Sequence, residues 1–364
     1  MIPPAFLFEA LPARVRFGSG SIDAIGSEAA KMSLRRLLLL STPQQEQQAK
    51  DVAAILGSRA VGIFAAAAMH TPTDVTAQAL AVARDLGVDG LVSIGGGSAI
   101  GLGKAIALET DLPHIAVPTT YAGSEATPIL GQTDGGIKTT QRTLRVLPEA
   151  IIYDVDFTLT LPVGMSMTSG LNALAHAAEA LYAPDANPIV DLMAGEGIAA
   201  LLRALPAIHA APQDREARSL ALYGAWLSGS CLGSVGMGLH HKICHVLGGS
   251  FDLPHAETHA VMLPHSLAYN LPFAAPARAR LGALLGSNEP AVALEAVSRS
   301  IGVPRALRDL GMPEEGIARA ADLAVANPYP NPRPLEREAI AAMLRRAWAG
   351  ETPVEDPVEA DAGI

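Results

Sequence analysis

Six of the chain's ten histidines fall within the 26 residues from 240 to 265. They are His240, His241, His245, His255, His259 and His265. His241 and His245 stand four apart in LHHKICHVLGGSF, and His259 follows His255 at the same spacing. Upstream, SGLNALAHAAEALY places Asn172 four before His176. Residues four apart share one face of a helix. Imidazoles paired this way suit two chemistries: neutral rings can hold a divalent metal, or their N–H groups can donate hydrogen bonds and protons to a reacting centre. Spacing leaves both open, and any one histidine is as readily a satisfied core or surface residue. His240 and His265 are read as structural, as are His114 and His209 outside the cluster.

A second constellation lies in DGLVSIGGGSAIGLGKAIAL. Gly95, Gly96, Gly97 and Ser98 stand between an apolar run and a helical pattern. Glycines permit close backbone approach, and a helix N-terminus offers free N–H groups and a positive dipole end to a diphosphate. The turn is neither the G-x-G-x-x-G fingerprint nor a P-loop, so on its own it is equally a tight strand-to-helix connection. Two features favour a nucleotide: the turn follows a strand end, where open α/β sheets bind ligands, and a hydroxyl-rich loop running from Thr119 and Thr120 to Ser124 follows another. Lys104, further along the helix, is read as a solvated face residue. After the first apolar run come Ser41 and Thr42, where an acidic side chain would grip the ribose of NAD and exclude NADP. None is present, so the expected cofactor is NADH or NADPH.

These residues need elements to hold them. Apolar runs at 37–42, 61–66, 90–94 and 114–120 read as buried strands. Helical patterns at 44–56, 73–85 and from the glycine turn through Ala107 alternate with them, which predicts a parallel, doubly wound sheet. Residues 127–156 read as hairpin and loop ending in a strand at 150–155. After Thr160 helical periodicity dominates to Gly350, with Pro184, Pro188, Pro206, Pro212 and Pro313 as caps and breakers. The expected domains are an α/β dinucleotide-binding domain over 1–158, a helical catalytic domain over 159–350, and an acidic, frayed tail over 351–364. A length of 364 residues gives each domain room for its own core. A formal charge of -10 argues against nucleic acid as a partner. Two cysteines outside any CxxC pair point to reduced thiols. No signal-peptide pattern and no run of roughly 20 apolar residues is seen, so a cytoplasmic protein without a membrane partner is expected.

The glycine turn with Ser98, the PTT loop, the Asn172–His176 helix and the run from His241 to His255 resemble the iron-containing alcohol dehydrogenase superfamily. The resemblance spans Phe17 to about Tyr269. It implies a doubly wound α/β N-terminal domain joined to an all-α C-terminal domain, a dehydroquinate synthase-like fold. In that superfamily an Asp and three His hold a divalent metal; the matching positions are Asn172, His176, His241 and His255, and His245 matches a further active-site histidine near the substrate. Asn172 departs from the pattern, because a neutral amide removes a negative charge facing a dication. That departure, with PTTYAGSEATPILGQTDGGIKTT, STPQQ, RVLPEAIIYD and HHKICHVLGGSFDLPHAETHAV, resembles the branch that reduces maleylacetate and needs no metal.

The resemblance implies NADH- or NADPH-dependent reduction of the C=C bond of maleylacetate, a small dicarboxylate, and its chlorinated analogues to 3-oxoadipate in aromatic-compound degradation. His241, His245 and His255 would stabilise the enolate and move the proton, with Asn172 and His176 as nearby donors. Lys242 would pair with a substrate carboxylate. Arg142 and Arg145 are further candidates, read first as solvated. The cofactor would lie along Gly95–Ser98, Thr119, Thr120 and Ser124, with Lys138 at the ribose, and it would meet the histidines between the two halves. A homodimer is implied. The competing readings are a metal-dependent alcohol dehydrogenase or aldehyde reductase of the same superfamily, a non-enzymatic metal-storage protein, and a dehydroquinate synthase-like lyase.

Overall fold

A computed structural model describes residues 5–135 and 137–355. It divides into two compact units. One is Ala10–Leu161 with Gln213–Leu222; the other is Pro162–Pro212 with the described parts of Met1–Glu9 and Tyr223–Ile364. The division falls at Leu161, not at residue 158, and Gln213–Leu222 belongs to the α/β unit despite its position among helices. The cause is polar: buried Arg218 donates to the carbonyls of Thr158 at 2.6 Å and Leu161 at 3.1 Å. Of the acidic tail expected from 351, residues 356–364 lie outside the described residues.

In the α/β unit, strands β1 (Arg14–Phe17), β2 (Leu37–Leu40), β3 (Ala60–Phe64), β4 (Gly90–Gly95), β5 (His114–Pro118) and β8 (Ala150–Tyr153) form one sheet in the order β1-β8-β5-β4-β2-β3. Every neighbouring pair is parallel. Parallel neighbours require crossovers, supplied by α1 (Ile25–Lys31), α2 (Glu46–Leu56), α3 (Thr73–Asp85) and α4 (Gly97–Thr110). The LLLL run of β2 shows the double winding residue by residue. Leu37 and Leu39 pack with Ile25, Ala49 and Val52 of α1 and α2, whereas Leu38 and Leu40 pack with Ala79, Ala83, Leu102 and Ile106 of α3 and α4. Alternation sends successive side chains to opposite faces, so a strand covered on both sides is apolar throughout. The segment read as hairpin holds β6 (Ile129–Asp134) and β7 (Ile137–Arg142), paired antiparallel. Strand β1 was not expected: its four residues RVRF carry two arginines, a composition that suits an edge strand.

The helical unit contains α5 (Val163–Ala180), α6 (Pro188–Ala210), the later part of α7 (Arg215–Ser234), α8 (Leu239–Phe251), α9 (His255–Asn270), α10 (Ala275–Leu285), α11 (Pro290–Ser300), α12 (Gly316–Ala326) and α13 (Arg337–Ala349). Helix α5 is buried on all sides from Ser166 to Ala180, with its polar Asn172, His176 and Glu179 included. Asn187 caps α6, its side chain accepting from the N–H groups of Ile189 and Val190 at 3.1 Å. Pro206, expected as a breaker, lies inside α6. An interior proline costs a helix about 3 kcal/mol; burial of Ala204, Leu205 and Ile208 around it offsets that cost. Among the described residues no helix is long and apolar enough to cross a membrane. Cys231 and Cys244 are both free and buried.

Candidate functional site

The imidazoles converge within the helical unit. Helix α5 presents Asn172, His176 and Glu179; α8 presents His240, His241 and His245; the first two turns of α9 present His255 and His259. His176 Nδ1 lies 2.8 Å from His241 Nε2. On its other side, His241 Nδ1 donates to Glu179 Oε2 at 2.5 Å. The ring of His241 lies 6.4 Å from that of His245 and 5.1 Å from that of His259, and His255 stands 4.4 Å from His259 and stacks on His245 at 6.3 Å. His176, His241 and Asn172 are buried, whereas His255 is half-buried and His245 is exposed. The Oδ1 atom of Asn172 is buried without a hydrogen-bond partner.

His240, read as structural, bonds Ser266 Oγ at 2.8 Å and His259 Nδ1 at 3.0 Å. Burial holds both His240 and His259 well below the usual histidine pKa, so these two rings are neutral. His265 is likewise pushed down to about 4 by burial. Lys242 shares α8 with the histidines, but its ammonium stands over the ring of Tyr329, 5.8 Å from the centroid.

The uncharged Asn172 makes this arrangement a weaker donor set for a divalent cation than one with a carboxylate there. Asn172 brings no charge, and both ring nitrogens of His241 are engaged, one by Glu179 and one by His176. Among the described residues, His240, Cys244 and His259 are the only His, Cys, Asp or Glu side chains that bring three ligand atoms within 4.8 Å of one another. There the histidines bond each other, and burial raises the Cys244 thiol well above its usual pKa, which keeps the sulfur protonated and a poor ligand.

The nucleotide residues gather within the α/β unit. The sheet order places β5, β4 and β2 side by side, so the loops after their carboxyl ends are neighbours. Gly95, at φ +149, occupies backbone space reserved for glycine. A Cβ on Gly96 would lie 2.8 Å from Thr120 Cγ2, whereas one on Gly97, which opens α4 with Ser98, would point into open space. The amide of Thr119 donates to the Gly95 carbonyl at 3.0 Å, tying the two loops together. The hydroxyls of Ser41, Thr119 and Ser124 are buried without partners. An open helix N-terminus beside unpaired hydroxyls fits the diphosphate and ribose of a dinucleotide. The Thr42 hydroxyl is instead engaged by Gln45 Oε1. Lys138 sits on β7, and its side chain lies outside the described residues.

Lys104 is not a solvated residue. It is 1% exposed, and its Nζ donates to the carbonyls of Ser124 at 2.6 Å, Thr127 at 2.7 Å and Ile129 at 2.9 Å, with Thr127 Oγ1 at 3.0 Å. It thereby holds the loop that carries Ser124. Helix α4 is apolar around most of its circumference, which is why a lysine within it is buried. Arg145 is exposed and pairs with Asp111 at 2.7 Å, and Arg142 is exposed at the end of β7. Glu179 and Arg218 were not singled out from the sequence. Glu179 stands three residues after His176, on the same helical face, a spacing that could have flagged it. Nothing local marks Arg218.

A glycine turn opening a helix at the carboxyl edge of a doubly wound sheet, and an imidazole cluster in an all-helical unit, are the equipment of a nicotinamide-dependent oxidoreductase. The model of the iron-containing alcohol dehydrogenases matches residues 12–155, and that of the C-terminal part of the same family matches residues 166–348. The chain belongs to the iron-containing alcohol dehydrogenase family. It is 56% identical to a maleylacetate reductase of Burkholderia cepacia over 350 residues, covering 96% of this chain and 99% of that protein. Among solved structures it resembles a putative alcohol dehydrogenase from Ralstonia eutropha JMP134, with TM-score 0.95 and 52% identity over 96% of this chain and 99% of that one. A maleylacetate reductase from Agrobacterium tumefaciens gives TM-score 0.93 and 53% identity over 96% and 100%.

Proposed function

We propose that this protein reduces the C=C bond of maleylacetate to give 3-oxoadipate, with NADH or NADPH as electron donor and without a metal ion. The observation that carries this reading is the 56% identity over nearly the full length of both chains to a protein named maleylacetate reductase. Asn172 and the direct His176–His241 hydrogen bond support the metal-free part.

The reduced nicotinamide, when bound, supplies a hydride to the alkene carbon β to the ketone. Charge then develops on the ketone oxygen as an enolate, and stabilising it is the main task of the protein. Exposed His245 and half-buried His255 are the rings for that oxygen, with the Asn172 amide and His176 as nearby donors. His241, engaged at both nitrogens, acts through His176. A proton from an imidazole N–H reaches the carbon α to the ketone and completes the product. Lys242, on the same helix as the histidines, is assigned one substrate carboxylate.

The test is oxidation of NADH and NADPH by freshly generated maleylacetate, with and without EDTA. Rapid oxidation untouched by EDTA supports the proposal. Oxidation that EDTA abolishes returns a metal to the site, and turnover of simple aldehydes but not maleylacetate rejects the substrate. Light scattering in the same preparation tests the homodimer that we propose for the protein in the cytoplasm.

A further inference from the structure

Helix α8 carries His241 and His245, yet its N-cap is Gly238, which has no side chain to satisfy the first N–H groups of the helix. Those groups are met from elsewhere in the chain. Asn331 Oδ1 accepts from the amide of Leu239 at 3.1 Å. Glu179, on α5, accepts from the amide of His240 at 2.9 Å through Oε1 and from that of His241 at 3.3 Å through Oε2. A Cβ at position 238 would lie 3.0 Å from Asn331 Oδ1 and 3.2 Å from Glu179 Oε1, so glycine leaves room for both caps. Asn331 is itself fixed by an amide pair with Asn270 at 3.1 Å and 2.7 Å.

The Glu179 carboxylate does more than close the helix. The oxygen that takes the His241 amide also takes the Nδ1 proton of the same residue's ring at 2.5 Å. A carboxylate only accepts, so the proton on that nitrogen is fixed, and Nε2 of His241 is the atom that meets His176 Nδ1 at 2.8 Å. One fully buried carboxylate thus sets the start of α8, the tautomer of His241 and the orientation of His176. We infer that Glu179 is the positioning residue of the imidazole cluster: it orients the His241–His176 pair for the reduction and does not itself touch the substrate. This rests on the function proposed above.

The experiment compares the intact wild-type protein with E179Q, E179D and N331A. E179Q preserves size but replaces one acceptor oxygen by a donor and removes the charge. The expected kcat with maleylacetate falls at least tenfold in E179Q, with a smaller change in KM and unchanged NADH binding, and E179D recovers part of the loss. Histidine ring ¹⁵N labelling gives a readout independent of turnover. The wild type should show a downfield Nδ1–H signal that disappears in H241A, shifts in E179Q and persists in N331A, which removes the Leu239 cap and the Asn270 amide pair but leaves the Glu179 contacts in place. A wild-type kcat in E179Q, or an Nδ1–H signal unmoved by E179Q, overturns the inference. So does equal loss of kcat in E179Q and E179D with equal loss of melting temperature, which marks a packing role only. A wild-type protein inactive on maleylacetate overturns the proposed substrate instead, and the ring signal then decides the role of Glu179 alone.

Discussion

Replacing Lys104 by methionine separates global stability from cofactor affinity. Methionine replaces the aliphatic stem of lysine but donates nothing, so the carbonyls of Ser124, Thr127 and Ile129 lose the group that meets them. Each buried carbonyl left without a partner costs about 1–3 kcal/mol. Against this, burial pulls the Lys104 pKa from 10.5 to about 7, a destabilisation of about 5 kcal/mol in the charged form at roughly 1.4 kcal/mol for each tenfold change. Methionine removes that penalty. The two effects are similar in size and opposite in sign, so the melting temperature of K104M should lie within a few degrees of the wild type. The loss of order in the 124–129 loop has no such compensation, since the relieved penalty belongs to the removed charge and not to the loop. NADH affinity, read by fluorescence titration, should fall about tenfold, equivalent to about 1.4 kcal/mol, and amide exchange should quicken across 124–129. The pH dependence gives a second signature. Between pH 7 and 10.5 the unfolded chain holds a proton that the native lysine has lost, so wild-type stability gains from rising pH across that window, and K104M lacks this contribution. NADH affinity equal to the wild type, with unchanged exchange in the loop, would refute the assignment of Lys104 to the cofactor site.

Two further outcomes follow from the same reasoning. N172D restores a carboxylate beside His176 and His241 and should bind Zn²⁺ at least tenfold more tightly than the wild type in calorimetric titration; equal affinities would show that the amide is not what disfavours the metal. His114 is buried against Ser93 Oγ at 2.8 Å, and burial lowers its pKa from 6.5 to about 3. Between those values the unfolded chain binds the proton and the native ring does not, so stability is lost as pH falls through that window, by up to about 5 kcal/mol from this residue. In urea unfolding at pH 7 and pH 4, H114Q should lose less stability on acidification than the wild type, and an equal loss would place the acid sensitivity elsewhere.

Much of the α/β unit was legible because its signals are local. The LLLL run could be buried on both faces only in a covered parallel sheet, and the helix read over 73–85 occupies those residues in the structure. The imidazole cluster was legible in part, because four-residue spacing reports a shared face within one helix. It did not report that His240 and His259 would bond each other, or that His176 would meet His241, since these contacts join different helices. Strand β1 escaped because four residues with two arginines give no apolar run.

The charged residues that were misread or missed share one physical cause. Lys104, Glu179 and Arg218 are all buried, and each meets backbone groups far away in the chain: carbonyls 20 to 25 residues on for Lys104, amides 61 and 62 residues on for Glu179, carbonyls 57 and 60 residues back for Arg218. Hydrophobic periodicity describes the faces of helices and strands, and these groups lie at their ends and in the loops beyond them. Backbone groups left over at an element's end must still be satisfied, and a buried ion is tolerated only where such partners converge on it. A charge inside an otherwise apolar helix is therefore a signal in its own right: it predicts an unsatisfied end or loop nearby in space. In α4 and α5 that end belongs to the loop of Ser124 and to the helix of His241, the segments on which the proposed chemistry depends.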